Sequence, residues 1–225
     1  MSKPVMSITV TLATSLLLMS APLASGGSNT QTPATTTAQA PEQKASDLYN
    51  TGLRLRDKAW KFEAAAEKAD GDEQTAKLQS KAAKQYSKAI KYFELATEKN
   101  RNFFQAYGSL GYALRKTGDH AAALTAYDHA LAIEPTYTEA IEYRAEAYLA
   151  LDRVDDARQA YMALFADDRA RADELMVAMQ AWVARRRATP GELASDLVEQ
   201  FADWLDQRGE LAGQATAVSQ RREWN

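Results

Sequence analysis

"LGYALRKTGDHAAALTAYDHALAIEP", Leu110 to Pro135, sets Gly111, Ala123 and Ala130 among large side chains and ends on a proline. Tyr107, Leu110, Tyr127 and Leu131 supply bulk at helical spacing, while the small residues between them let neighbouring helices approach closely. Gly118-Asp119 reads as the turn, since glycine tolerates the left-handed conformation that ends one helix and aspartate caps the next. Pro135 cannot continue a helix, and Thr136 with Glu139 fits a capping box that opens another. The stretch predicts one helix–turn–helix pair.

The spacing returns at a shift of 34 residues. Backwards, Ala89, Phe93 and Ala96 fall where Ala123, Tyr127 and Ala130 stood. Forwards, Ile141, Ala145, Tyr148, Ala157 and Tyr161 match Tyr107, Gly111, Leu114, Ala123 and Tyr127, and a further shift gives Leu175, Met179 and Trp182. A fixed period of this kind marks stacked repeats, in which each pair buries its apolar face against the next. The third copy is looser at its exit, with Leu164 and Arg169 in place of Ala130 and Pro135.

These positions resemble the tetratricopeptide repeat over roughly Ser46 to Arg187. The resemblance implies an all-α helix-turn-helix solenoid of about three repeats and a degenerate fourth, which keeps only its first helix and has Met179 at the glycine place. Residues 188–225 are expected to supply a capping helix and tail. Thr189-Pro190-Gly191-Glu192 reads as the start of that helix, and Leu193, Leu197, Phe201, Trp204 and Leu205 form its apolar stripe.

The first repeat departs most from the pattern. Leu48, Gly52 and Leu55 occupy the family places, yet Gly52 to Ala89 spans 37 residues against 12 from Gly111 to Ala123. The 25 extra residues stay helix-like and turn near Asp70-Gly71-Asp72. Split over two arms they lengthen each helix by ~18 Å, which predicts a projecting first hairpin. Trp60 and Phe62 on it read either as partner contacts or as packing against Leu78, Ala82 or Tyr86 of the returning arm.

Ahead of the repeats, residues 1–26 have one charge (Lys3), an apolar run from Ile8 to Met19 and then "APLASGG", the order of a secretory signal. The run is shorter than the ~20 residues of a membrane span; an uncleaved anchor is the alternative. Residues 27–45, rich in Thr, Ala, Gln and Pro without a large aliphatic or aromatic side chain, read as a disordered linker. An exported protein of bacterial type is expected, periplasmic in a Gram-negative source.

Composition narrows the chemistry. The absence of cysteine removes disulfides, thiolate metal sites and a thiol nucleophile, and a net charge of -3 argues against nucleic acid. With two histidines, no Gly-rich phosphate loop and no nucleophile–base set, no catalysis, cofactor or metal is expected. Glu139, Glu142 and Glu146 share a helical face and read as solvated or capping carboxylates. Asp155-Asp156 and Asp167-Asp168 read as charges at helix starts, and Arg185 to Arg187 as cations at a helix end.

The resemblance also implies a groove on the inner faces of the first helices that holds an extended or helical peptide. It would carry Tyr49, Leu53 and Arg56, then Gly108, Tyr112, Arg115 and Lys116, then Glu142, Glu146 and Leu149, running from basic to acidic. Where chaperone-binding members clamp a terminal carboxylate, this chain has Tyr49, Leu53, Ser109, Glu139 and Tyr143, so that ligand does not carry over. The expected function is a non-catalytic protein-binding scaffold of the cell envelope that aids assembly of a complex. Its partner is another protein's peptide or helix, with no stable membrane insertion once the signal is removed. The alternatives are a self-associating assembly factor, a homodimer through hairpin 57–80, or an accessory domain of an envelope enzyme.

Overall fold

The computed structural model describes residues 36–189 and 195–222. Their secondary structure is eight helices and no strand: α1 Thr36–Ala66, α2 Asp72–Lys99, α3 Phe104–Lys116, α4 His120–Ile133, α5 Thr138–Ala150, α6 Val154–Asp167, α7 Arg169–Ala188 and α8 Ser195–Arg222. Each helix packs on its neighbours in sequence, and α1, α3, α5 and α7 also touch one another in turn. That is a tetratricopeptide-like solenoid, with the first helices of successive pairs forming one face.

The glycines explain the close packing. A Cβ on Gly111 would stand 2.7 Å from the ring of Tyr127, and one on Gly52 would stand 2.4 Å from the ring of Phe93. Either ring needs the space that a missing side chain leaves. Since Phe93 lies one period before Tyr127, Gly52 holds the glycine place of the first pair despite the inserted residues. The insertion lengthens both arms: α2 has 28 residues against 14 in α4, and the turn between α1 and α2 has Gly71 at φ +92°.

Turns follow the period as well. Gly118 takes φ +89°, and 34 residues on Asp152 takes φ +58° without being glycine. Asp119 caps α4 by accepting from Ala122 N at 3.1 Å, and Asp168 caps α7 by accepting from Arg171 N at 3.2 Å.

Several expectations are corrected. α1 starts at Thr36, so residues 36–45 are helical where the linker was expected. Ala, Gln, Glu and Lys in that stretch favour a helix without any large apolar group, and Ala45 is fully buried. The Thr136–Glu139 capping box does not form. Thr136 instead bonds the Glu134 carboxylate, and α5 begins at Thr138, whose hydroxyl donates to Asp168 Oδ2 at 2.8 Å. Residues 1–26, the rest of the linker, and Pro190 to Leu193 of the anticipated cap start lie outside the described residues. From Ser195, α8 seals the stack: Val198, Phe201, Ala202 and Leu205 join Leu175, Met179 and Trp182 in one core cluster.

Candidate binding face

Three first helices meet around a small pocket of about 80 Å³. α1 supplies Tyr49, Arg56 and Trp60, α3 supplies Ser109 and Tyr112, and the start of α5 supplies Tyr137, Glu139 and Tyr143. Tyr112 is the hub. Its ring meets Trp60 edge-on at 6.0 Å and Tyr143 at 5.1 Å, and its hydroxyl accepts from Trp60 Nε1 at 2.8 Å. The Arg56 guanidinium lies 4.1 Å over the Trp60 ring while pairing with Asp57 at 2.9 Å. Gly108 admits Tyr137, because a Cβ there would come within 2.7 Å of that ring. Burial raises the Tyr137 and Tyr143 hydroxyls above the ordinary phenol range, with the nearby Glu139 carboxylate adding to both. Both phenols are therefore neutral donors at any physiological pH.

The charged residues expected to line an open groove are closed on one another. Arg115 pairs with Glu146 at 2.6 Å and sits beside the rings of Tyr112 and Tyr143, at 5.3 and 5.4 Å. Lys116 pairs with Glu63 at 2.7 Å, and that carboxylate also accepts from Tyr86 at 2.8 Å. Glu142, only 5% exposed, is bound by Arg171, which has Glu139 at 3.5 Å and Asp168 and Glu174 at 3.8 Å. Burial outweighs the pull of that guanidinium and pushes the Glu142 carboxyl up to about 7. Of the three glutamates only Glu142 is buried, which corrects its solvated reading; Glu139 and Glu146 stay partly exposed, and each of the three pairs with an arginine of a neighbouring helix.

Of the sequence-expected groove residues, Tyr49, Arg56, Gly108 and Tyr112 meet at the pocket. Leu53 is half-buried against the core of the first pair. Leu149, 3% exposed, belongs to the later core and borders a different cavity with Trp182 and Arg186. The hairpin aromatics separate: Phe62 packs into the α1–α2 core, whereas Trp60, 40% exposed, turns to the pocket. Its place was readable, because Tyr49, Arg56 and Trp60 recur at seven and four residues along one helix face. The ion pairs carried a fainter signal, opposite charges 31 residues apart (Arg115, Glu146) and 29 apart (Glu142, Arg171), near the repeat length. The histidines stand apart, His129 stacked on Tyr107 at 5.2 Å and His120 at the turn, its pKa lowered by burial and by Arg115. Among the described residues, no three His, Asp or Glu side chains converge as a metal site requires.

The tetratricopeptide repeat family model matches this chain from α3 to α7. The match covers residues 114–182, less than a third of the chain. The match starts within the second helix pair and ends at Trp182, the last typed position of the fourth copy. No curated protein matches the chain. Tetratricopeptide repeats generally mediate contacts between proteins and are typically non-catalytic, so a protein partner is the reading this family carries. No helix among the described residues is long and apolar enough to cross a membrane.

Proposed function

We propose that this protein is a non-catalytic scaffold of the cell envelope that holds a peptide or helix of a partner protein on the face formed by α1, α3 and α5. One observation carries the reading: Trp60, Tyr112 and Tyr143, partly exposed and hydrogen-bonded at their tips or stacked in place, surround a pocket between three helices. Rigid aromatics in a pre-formed pocket anchor partners at low entropic cost. Because the neighbouring charges neutralise one another, the rings rather than a charge gradient supply the anchor. The signal-like order of residues 1–26 supports export, which in a Gram-negative source means the periplasm.

A photo-crosslinking amino acid tests this at Trp60 and, as a control, at the exposed Met162 of α6. In native envelopes the first position is expected to give a discrete protein adduct and the second none. Adducts at both positions alike, or at 162 alone, overturn the assignment of the face.

A further inference from the structure

Between Gln74 and Phe93, α2 has five lysines and no other charged residue, in a chain whose net charge is -3. Lys77, Lys81, Lys84, Lys88 and Lys91 recur every three or four residues, which puts all five within a stripe about 80° wide at the helical 100° per residue. Every one is exposed, and the stripe lies opposite Ala82, Tyr86, Ala89 and Phe93, the buried face of α2. Among the described residues Lys77, Lys84, Lys88 and Lys91 have no ion pair or hydrogen bond, and Lys81 meets only the Phe62 ring at 5.7 Å. The acidic groups of α2 stand at the ends of the row, Asp72 and Glu73 before it and Glu94 and Glu98 after it.

Such a row works against its own helix. Lys77–Lys81, Lys81–Lys84, Lys84–Lys88 and Lys88–Lys91 are like-charge neighbours at three or four residues, a spacing at which repulsion destabilises a helix. Elsewhere this protein pairs its cations across repeats, as at Arg115, Arg171 and Arg186, so the unpaired row stands out.

We infer that the outer face of α2 docks the protein on an anionic lipid surface. The row extends ~21 Å along a straight helix, so five ammonium groups can reach one plane of headgroup phosphates together. Lysine, a compact and mobile charge, suits a diffuse sheet of phosphates; the row has none of the arginine forks that read a nucleic acid or a single carboxylate. At its C-terminal end Tyr92 and Leu95 are 36% and 41% exposed, an amphipathic and an apolar side chain placed to enter the interface beside the lysines. The contact is peripheral. It leaves the α1–α3–α5 face open, so it stands independently of the partner proposed for that face.

The test is co-sedimentation of the full chain with vesicles of equimolar phosphatidylglycerol and phosphatidylcholine, and with vesicles of phosphatidylcholine alone. Binding is expected to the first only, and to weaken as salt is raised. Lys77→Gln, Lys84→Gln and Lys88→Gln combined should lower the partition by a factor of roughly 100, with melting no lower and, as the like-charge neighbours are removed, slightly raised. Lysine-to-arginine changes at the same three positions should keep it, as should the same charge removal at Arg101, Arg158 and Arg187. Equal binding to both vesicle types, equal loss in the glutamine variant and the distant control, or capture of a single-stranded oligonucleotide with vesicles left unbound overturns the inference.

Discussion

In the first two helix pairs a glycine admits an aromatic ring, Gly52 facing Phe93 and Gly111 facing Tyr127. At the same place the third pair has Ala145, in one core cluster with Tyr161, and the fourth has Met179. The back half has another bond between its helices: Arg115 to Glu146, Glu142 to Arg171 and Asp152 to Arg186 join α3, α5 and α7 through charge. The front half has one comparable ion pair, Lys116 to Glu63, beside the Trp60–Tyr112 contact. A repeat length is thus maintained by two kinds of contact, and the two respond differently to their surroundings. Ring-on-glycine packing is indifferent to salt and pH, whereas ion pairs are not.

Truncating the front lock should have the largest effect. Tyr127→Ala is expected to cost about 3–5 kcal/mol in urea unfolding, and Gly111→Ala about 1–3 kcal/mol through overpacking. Ala145→Gly, at the same place in the back half, should cost only about 1 kcal/mol, the helix-propensity difference. If Gly111→Ala proves no worse than Ala145→Gly, the distinction between the halves fails.

The back half should carry the pH dependence. Burial raises Glu142 from the ordinary 4.5 to about 7, so between those values the folded chain holds a proton that the unfolded chain has released. Stability therefore falls as pH rises through that window, by about 3 kcal/mol in all, and Glu142→Gln should flatten the slope. Asp168, whose carboxyl is held low by the Thr138 and Arg171 hydrogen bonds, acts in the other direction below this window. His120 of the front half, held low by burial and Arg115, acts in the other direction within it, so the Glu142→Gln comparison isolates the back-half contribution. Melting curves across pH 4.5 to 7 that run parallel for wild type and variant would mean that Arg171 keeps the carboxylate ionised throughout.

The smallest effect concerns the turns. Gly118→Ala should lose about 1–2 kcal/mol because its φ of +89° strains a side chain. Asp152→Asn retains a residue that tolerates the left-handed region and loses only the half-exposed ion pair with Arg186, worth less than about 1 kcal/mol. A larger loss from Asp152→Asn, read by urea unfolding, would make that turn a true electrostatic hinge of the back half.

Much of this was legible from spacing. Small and large residues in a 34-residue register told which helices pair, and the distance from Gly52 to Ala89 told that the first pair is long. The candidate face was legible in part. Tyr49, Arg56 and Tyr112 lie where the helix faces put them, but Tyr137 enters only because Gly108 leaves room, a contact between the middle of α3 and the start of α5. The charges were misread for a similar reason. Arg115, Lys116, Glu142 and Glu146 sit on the expected faces, yet a face says nothing about whether a neighbouring helix already satisfies the charge.

The sequence by itself determined the order of helices, their pairing and the length of the first hairpin, because periodicity is a property of a line. Only the tertiary structure decided which charges face a partner and which face each other, and which hairpin aromatic turns toward the pocket. Those are matters of angle and distance between elements about one repeat apart, where a shift of a single helical position exchanges core for surface.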